Sequence, residues 1–140
     1  MLSGEGPVEE LSTEACWNLL KAGQLGRLAA TAAGQVDIFP ITYYADGTTL
    51  LFRTAPGTKL LELTVNNNVA LEIDGFSDTD AWSVVAKGAA RLLEHQDEIT
   101  EADAAPLHPW LPTLKYAYVR VTPETLTGRH FTRAPEPERY

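Results

Sequence analysis

The segment Phe52-Arg53-Thr54-Ala55-Pro56-Gly57-Thr58-Lys59 gathers two cations and two hydroxyls around a proline-glycine turn. An arginine at the end of a strand can grip two oxygens of a phosphate, and a lysine at the start of a helix adds a point charge. The N–H groups of that helix's first turn supply partial positive charge as well. Types and spacing alone leave two readings open. One is an anion cradle; the other is a solvated turn whose cations balance nearby acids.

A second candidate is Ile38-Phe39-Pro40-Ile41-Thr42-Tyr43-Tyr44, apolar and aromatic with a proline inside it. Proline cannot donate to a sheet ladder, so it marks an edge strand or a bulge with backbone groups left over. Such a strand could lie along a planar ring or pack at a dimer interface. Trp82, followed by Ser83, could stack on a ring or plug the end of a barrel. Trp17 and Trp110 read as packing residues.

Other chemistries find less support. His95, His108 and His130 lack the spacing of a helical metal pair, and no cysteine cluster accompanies them, so no metal site is expected. Ser83 lacks the flanking glycines of a nucleophile elbow. The acids Asp97, Glu98, Glu101 and Asp103 form a solvated helix face. No catalytic acid, base or nucleophile is assigned.

These residues must be positioned by a small chain of 140 residues, 44% of them hydrophobic, which is long enough for one core without staples. The single cysteine, Cys16, excludes an intrachain disulfide and fits a reducing, cytoplasmic setting. A net charge of −8 argues against nucleic acid, whose binding draws on lysine and arginine. No apolar run approaches the length of a membrane helix. The expected organisation is a flexible arm over 1–10, a domain over 11–132 and a flexible tail over 133–140.

Ser12 should cap a helix from Thr13 to Ala22 that stops at Gly23, with Cys16 on its core-facing stripe. Strands follow at Leu25 to Thr31, Val36 to Tyr44 and Thr48 to Thr54, joined by turns at Ala33-Gly34 and Asp46-Gly47 as two hairpins in tandem. Thr58 should cap a short helix to Val65. Further strands run over Val69 to Asp74, Trp82 to Leu93 and Tyr116 to Thr122, with a helix over Gln96 to Ala105. Gly88 inside its strand signals a bulge or a close approach. The fold class is therefore mainly β with short helices (α+β), an antiparallel six-stranded barrel, and no GxGxxG supports a dinucleotide fold.

In order, Leu25-Gly26-Arg27-Leu28-Ala29, Asp37-Ile38-Phe39-Pro40-Ile41, Leu51-Phe52-Arg53-Thr54, Gly57-Thr58-Lys59-Leu60, Trp82-Ser83-Val84 and Thr127-Gly128-Arg129 resemble the pyridoxamine 5'-phosphate oxidase-like family of flavin-binding split barrels. The similarity spans about Leu11 to Phe131. It implies a split β-barrel homodimer with FMN at the subunit interface, and a small-molecule substrate or electron acceptor. It also implies that Arg53, Thr54, Thr58 and Lys59 hold the phosphate. Pro40, Ile41 and Thr42 would line the ring, with Trp82 and Ser83 close by, from either subunit. The tryptophan- and arginine-bearing end of true pyridoxamine phosphate oxidases is not matched. The shorter members it resembles include flavin reductase-like, nitroimidazole-resistance-like and deazaflavin (F420)-using proteins. The resemblance implies an FMN-dependent oxidoreductase. An F420-dependent reductase, with Arg27, Lys87, Arg120 and Arg129 as cations for the longer tail, and a non-catalytic flavin-storage protein are the alternatives.

Overall fold

The computed structural model describes residues 8–109 and 116–136, so Trp110 and the last four residues of the expected tail lie outside the described residues. Ser12 accepts a hydrogen bond from the Ala15 N–H at 3.1 Å, which starts α1 (Thr13–Ala22). Gly23 closes it by donating to the carbonyls of Leu19 and Leu20. Cys16 and Leu20 are its buried face, as the helical stripe requires.

Eight antiparallel strands are formed among the described residues: β1 (Val8–Glu10), β2 (Leu25–Ala32), β3 (Gln35–Thr42), β4 (Tyr44–Ala45), β5 (Leu50–Thr54), β6 (Asn68–Phe76), β7 (Asp80–Leu92) and β8 (Ala117–Thr132). The expected six are present, and two more join them. β1 arises within the expected loose arm and pairs through its backbone with the far end of β8. Its residues are all exposed, so no apolar alternation announces it. β4 is a two-residue bridge to β5.

Their lateral order is β3-β2-β6-β7-β8-β5-β4, with β1 beside β8. The tandem-hairpin expectation is corrected here. β3 ends the sheet at one edge, whereas β5 lies far along the order beside β8. The curled sheet brings β3 and β5 near each other without a ladder between them. The gap between these two strands is the split of a half-barrel.

β8 outruns its expected end because a bulge absorbs the irregularity at Pro123. Lys87 pairs with Thr125 and Gly88 with Pro123, so Glu124 is the extra residue. A Cβ on Gly88 would run into the Thr122 carbonyl, so only glycine permits this approach. The strand then serves β5 with its first half and β1 with its last.

Leu20, Leu28, Phe52, Leu71, Val84 and Val121 are fully buried in the main core. A second cluster of Leu51, Leu93, Ala102 and Tyr118 lies under α3 (Gln96–Ala104). The short α2 (Thr58–Val65) follows β5 and packs on β2. None of the helices among the described residues is long and apolar enough to cross a membrane.

Candidate functional site

β5 delivers its last two residues to opposite faces. Leu50, Phe52 and Thr54 alternate with Leu51 and Arg53, and Phe52 belongs to the main core while Leu51 belongs to the cluster under α3. Arg53 therefore points away from the core, half-buried, with its guanidinium carbon 4.0 Å from the centroid of the Tyr116 ring. Tyr116 in turn meets Tyr118 edge to face, centroids 5.4 Å apart. The stack holds the guanidinium by its flat side, which leaves its rim of donors for an anion. Arg53 Nε is buried and has no hydrogen-bond partner among the described residues. A buried donor without an acceptor is costly, and a bound anion would satisfy it.

Thr54 is buried, and its hydroxyl donates to the Ala55 carbonyl at 3.3 Å. The chain then turns through Ala55 and Pro56 to Gly57, where a Cβ would meet nothing within 4 Å. Open space at that atom lets a ligand approach the backbone directly. Gly57, rather than the expected Thr58, occupies the cap of α2, and no side chain caps it. The first-turn N–H groups are thus left to solvent or an anion.

Lys59 reaches back to β3, its Nζ 5.2 Å from the centroid of the Phe39 ring. It is half-buried, and burial pushes its ammonium below its ordinary pKa. Neither Lys59 nor Arg53 forms an ion pair among the described residues. A desolvated lysine over an aromatic ring gains from any anion that arrives.

The remaining candidates are less tightly gathered. β3 is an edge strand, as the proline signals. Pro40 is exposed, Thr42 is half-buried, and Ile41 is 5% exposed inside the core, so its side chain cannot line a ligand. Trp82 packs on the main core, and its ring covers Gly75, where a Cβ would lie 2.5 Å from it. Trp82 pairs with His130, at the opposite end of β8 from Ala117, the partner of Thr54. Within one protomer, then, Arg53, Thr54, Gly57 and Lys59 follow one another from the end of β5 into α2, with Arg53 directed to Tyr116 and Lys59 to Phe39, while Trp82 and Ser83 lie toward the other end of β8.

Of the cations considered for a longer acidic tail, two are engaged. Arg27 binds Glu72 and Asp74, both at 2.7 Å. Arg120 donates to the Thr49 hydroxyl at 2.8 Å and lies 3.7 Å from Asp46. Sequence reasoning missed Tyr116 beneath Arg53. The signal in the sequence was the alternation that sets Tyr116, Tyr118 and Arg120 on one side; that this side meets Arg53 follows only from the pairing of Arg53 with Tyr118.

The family described as pyridoxamine 5'-phosphate oxidase matches residues 12–130. The chain belongs to this family. Among its relatives is the uncharacterized protein Rv3129 of Mycobacterium tuberculosis, 45% identical over 93 residues, or 66% of this chain and 84% of that one. A Corynebacterium glutamicum structure named for pyridoxamine 5'-phosphate oxidase is 39% identical, with a TM-score of 0.87 over 94% of this chain and 98% of that one. The structure of the FAD binding protein from Mycobacterium smegmatis is 41% identical, with a TM-score of 0.79 over 90% of this chain and 100% of that one. Membership of the pyridoxamine 5'-phosphate oxidase family thus agrees with the half-barrel of antiparallel strands.

Proposed function

We propose that the protein binds a flavin nucleotide, FMN in the first instance, and works as a flavin-dependent oxidoreductase. The observation that carries this reading is the pair of half-buried cations, Arg53 and Lys59, flanking an open glycine turn before an uncapped helix. Arg53 would bind the phosphate through its unpaired Nε and guanidinium rim, Lys59 would neutralise charge, and the Gly57–Lys59 backbone would donate N–H groups. Bound there, the flavin supplies hydride and electron transfer; the protein fixes its orientation and excludes water. FAD contains the same phosphate next to the same ring system. The M. smegmatis relative is described as binding it, so FAD is the second candidate. F420 is less favoured, because Arg27 and Arg120 already have acidic or hydroxyl partners.

The working unit we propose is a homodimer, with the ring between subunits, in the split-barrel arrangement the family resemblance implies. Val36 and Ile38 on the outer face of β3 are 67% and 66% exposed. Nearby, Ala29, Ala70, Lys87 and Gly88 line a shallow hollow of about 430 Å³. An exposed apolar knob beside such a hollow suits a self-complementary contact, and it would let one subunit's Trp82 and Ser83 approach the other's cradle. Titration of purified protein with FMN, FAD and F420, followed by flavin fluorescence and absorbance, tests the reading. Saturable one-to-one uptake of FMN or FAD supports it. Uptake of F420 alone, or of none of the three, overturns it.

A further inference from the structure

The contact between α3 and the face of β8 beneath it includes one charged hydrogen bond. The Tyr118 hydroxyl donates at 2.6 Å to Oδ1 of Asp103, in the last turn of α3. That length is typical of an O–H donor on a carboxylate, the stronger class of hydrogen bond. Tyr118 is only 6% exposed and packs in the cluster with Leu51, Leu93 and Ala102. Burial, then the hydrogen bond and the negative charge of Asp103, raise the phenol above its ordinary pKa, so it stays a donor. Deprived of its acceptor, this hydroxyl would be a buried donor left unpaired, and the ring would be driven to move.

Tyr118 stands across the β5–β8 ladder from Arg53. Its ring meets Tyr116 edge to face, at 81° with 5.4 Å between centroids. Tyr116 precedes the first residue of β8 and is 39% exposed, so its ring lacks the enclosure that holds Tyr118. The guanidinium carbon of Arg53 lies 4.0 Å over that ring. Arg53 has no ion pair among the described residues, and its Nε is buried without a partner. The aim of this long side chain therefore depends on the Tyr116 ring, and the ring depends on Tyr118. Asp103 enters no ion pair among the described residues either. Arg91 is bound by Glu98, and Arg120 by Thr49 and Asp46.

We propose that Asp103 is a positioning residue for the anion cradle: by fixing the Tyr118 hydroxyl it holds the Tyr116 ring against Arg53, and so presents the guanidinium rim to a phosphate. The relay from Asp103 through Tyr118 and Tyr116 to Arg53 stands on the geometry of one protomer. Its effect on FMN rests on the flavin reading above. An acidic residue thereby strengthens the grip on an anion, which its own charge would oppose.

NMR relaxation of the Arg53 Nε–Hε group, assigned by its loss in Arg53→Ala, tests the relay on the protein without added cofactor. In the wild type this group should be ordered on the picosecond to nanosecond scale. Asp103→Ala should release it, and should fold, because alanine is the best helix former and the position is exposed. Asp103→Asn, whose amide oxygen still accepts from the phenol, should keep the group ordered. Adding Tyr118→Phe to Asp103→Ala should do no further harm, since both remove the same bond.

Fluorescence titration with FMN should show about tenfold weaker binding for Asp103→Ala and undiminished affinity for Asp103→Asn. The loss should shrink below about twofold in an Arg53→Ala background and persist in a Lys59→Ala background. Wild-type order of the Arg53 group in Asp103→Ala, release of it in Asp103→Asn as well, or an FMN loss that persists without Arg53 would overturn the proposal. A protein that binds neither FMN nor FAD yet loses Arg53 order in Asp103→Ala supports the relay and removes only the flavin reading. Lost order with unchanged FMN affinity overturns the positioning role.

Discussion

Arg53 is held by its flat side on Tyr116 and retains a buried donor with nothing to donate to. Replacing it with alanine would remove the two-pronged grip proposed for the phosphate. A charge-assisted hydrogen bond is worth about 1.5–3 kcal/mol, so Arg53→Ala should weaken FMN binding roughly 10- to 100-fold. Lys59→Ala should weaken it to a lesser degree, since a point charge makes fewer directed bonds. Fluorescence titration of both variants checks the order, and equal affinity for all three proteins would show that the cradle lies elsewhere. Arg53 and Lys59 could be singled out in the sequence because they stand at the end of one element and the start of the next, on either side of a single turn. Tyr116 and Phe39, whose rings those cations lie over, could not, because Phe39 is on β3 and Tyr116 just precedes β8, both remote in sequence from the cation they meet.

Among the elements, the turn joining β4 to β5 depends on one carboxylate. Asp46 accepts from the N–H groups of Thr48 and Thr49, at 2.8 and 2.6 Å, and from both hydroxyls. Burial pushes its pKa up, but these four hydrogen bonds outweigh that and hold it below the ordinary aspartate value. A depressed carboxylate contributes stability above its unfolded pKa and loses it as pH falls through the folded one. Asp46→Asn should therefore cost about 1 kcal/mol near neutrality, comparable to losing a helix cap, and the gap should close in acid. Urea denaturation at several pH values measures this. Gly88→Ala should cost more, about 3 kcal/mol or a failure to fold, because the Thr122 carbonyl occupies the space of its Cβ. Local signals were sound for such elements. Ser12, Gly23 and the Ala33-Gly34 turn, with φ of 52° and 78°, all stand where the residues said they would. The cap of α2 did not, since Gly57 rather than Thr58 takes the non-helical backbone before its first turn.

Over the whole molecule, alternation named the buried face of β6 correctly, whereas in β5 and at Tyr118 of β8 both faces are buried because α3 covers the outer one. Strand order was another matter: neighbours in the sheet such as β2 and β6, or β5 and β8, are far apart in sequence, and nothing local specifies their pairing. The backbone-only pairing of β1 was invisible for the same reason. The proposed dimer belongs at this scale too. Sedimentation analysis should show two copies for the wild type, and Ile38→Asp, on the exposed face of β3, should shift the mass to one while leaving the circular dichroism unchanged.

The one thiol of the chain sits under α1, fully buried, and a Cβ on Gly128 would lie 2.6 Å from its sulfur. Burial also lifts its pKa, so little reactive thiolate exists in the native fold. The protein thus carries a built-in reporter of its own opening: a thiol reagent counts only molecules that have lifted α1 from the barrel. The same silence makes the native chain a clean background for labelling. A cysteine placed at Phe76, which is strongly exposed, would be the single reactive site on which to hang a fluorophore or spin label.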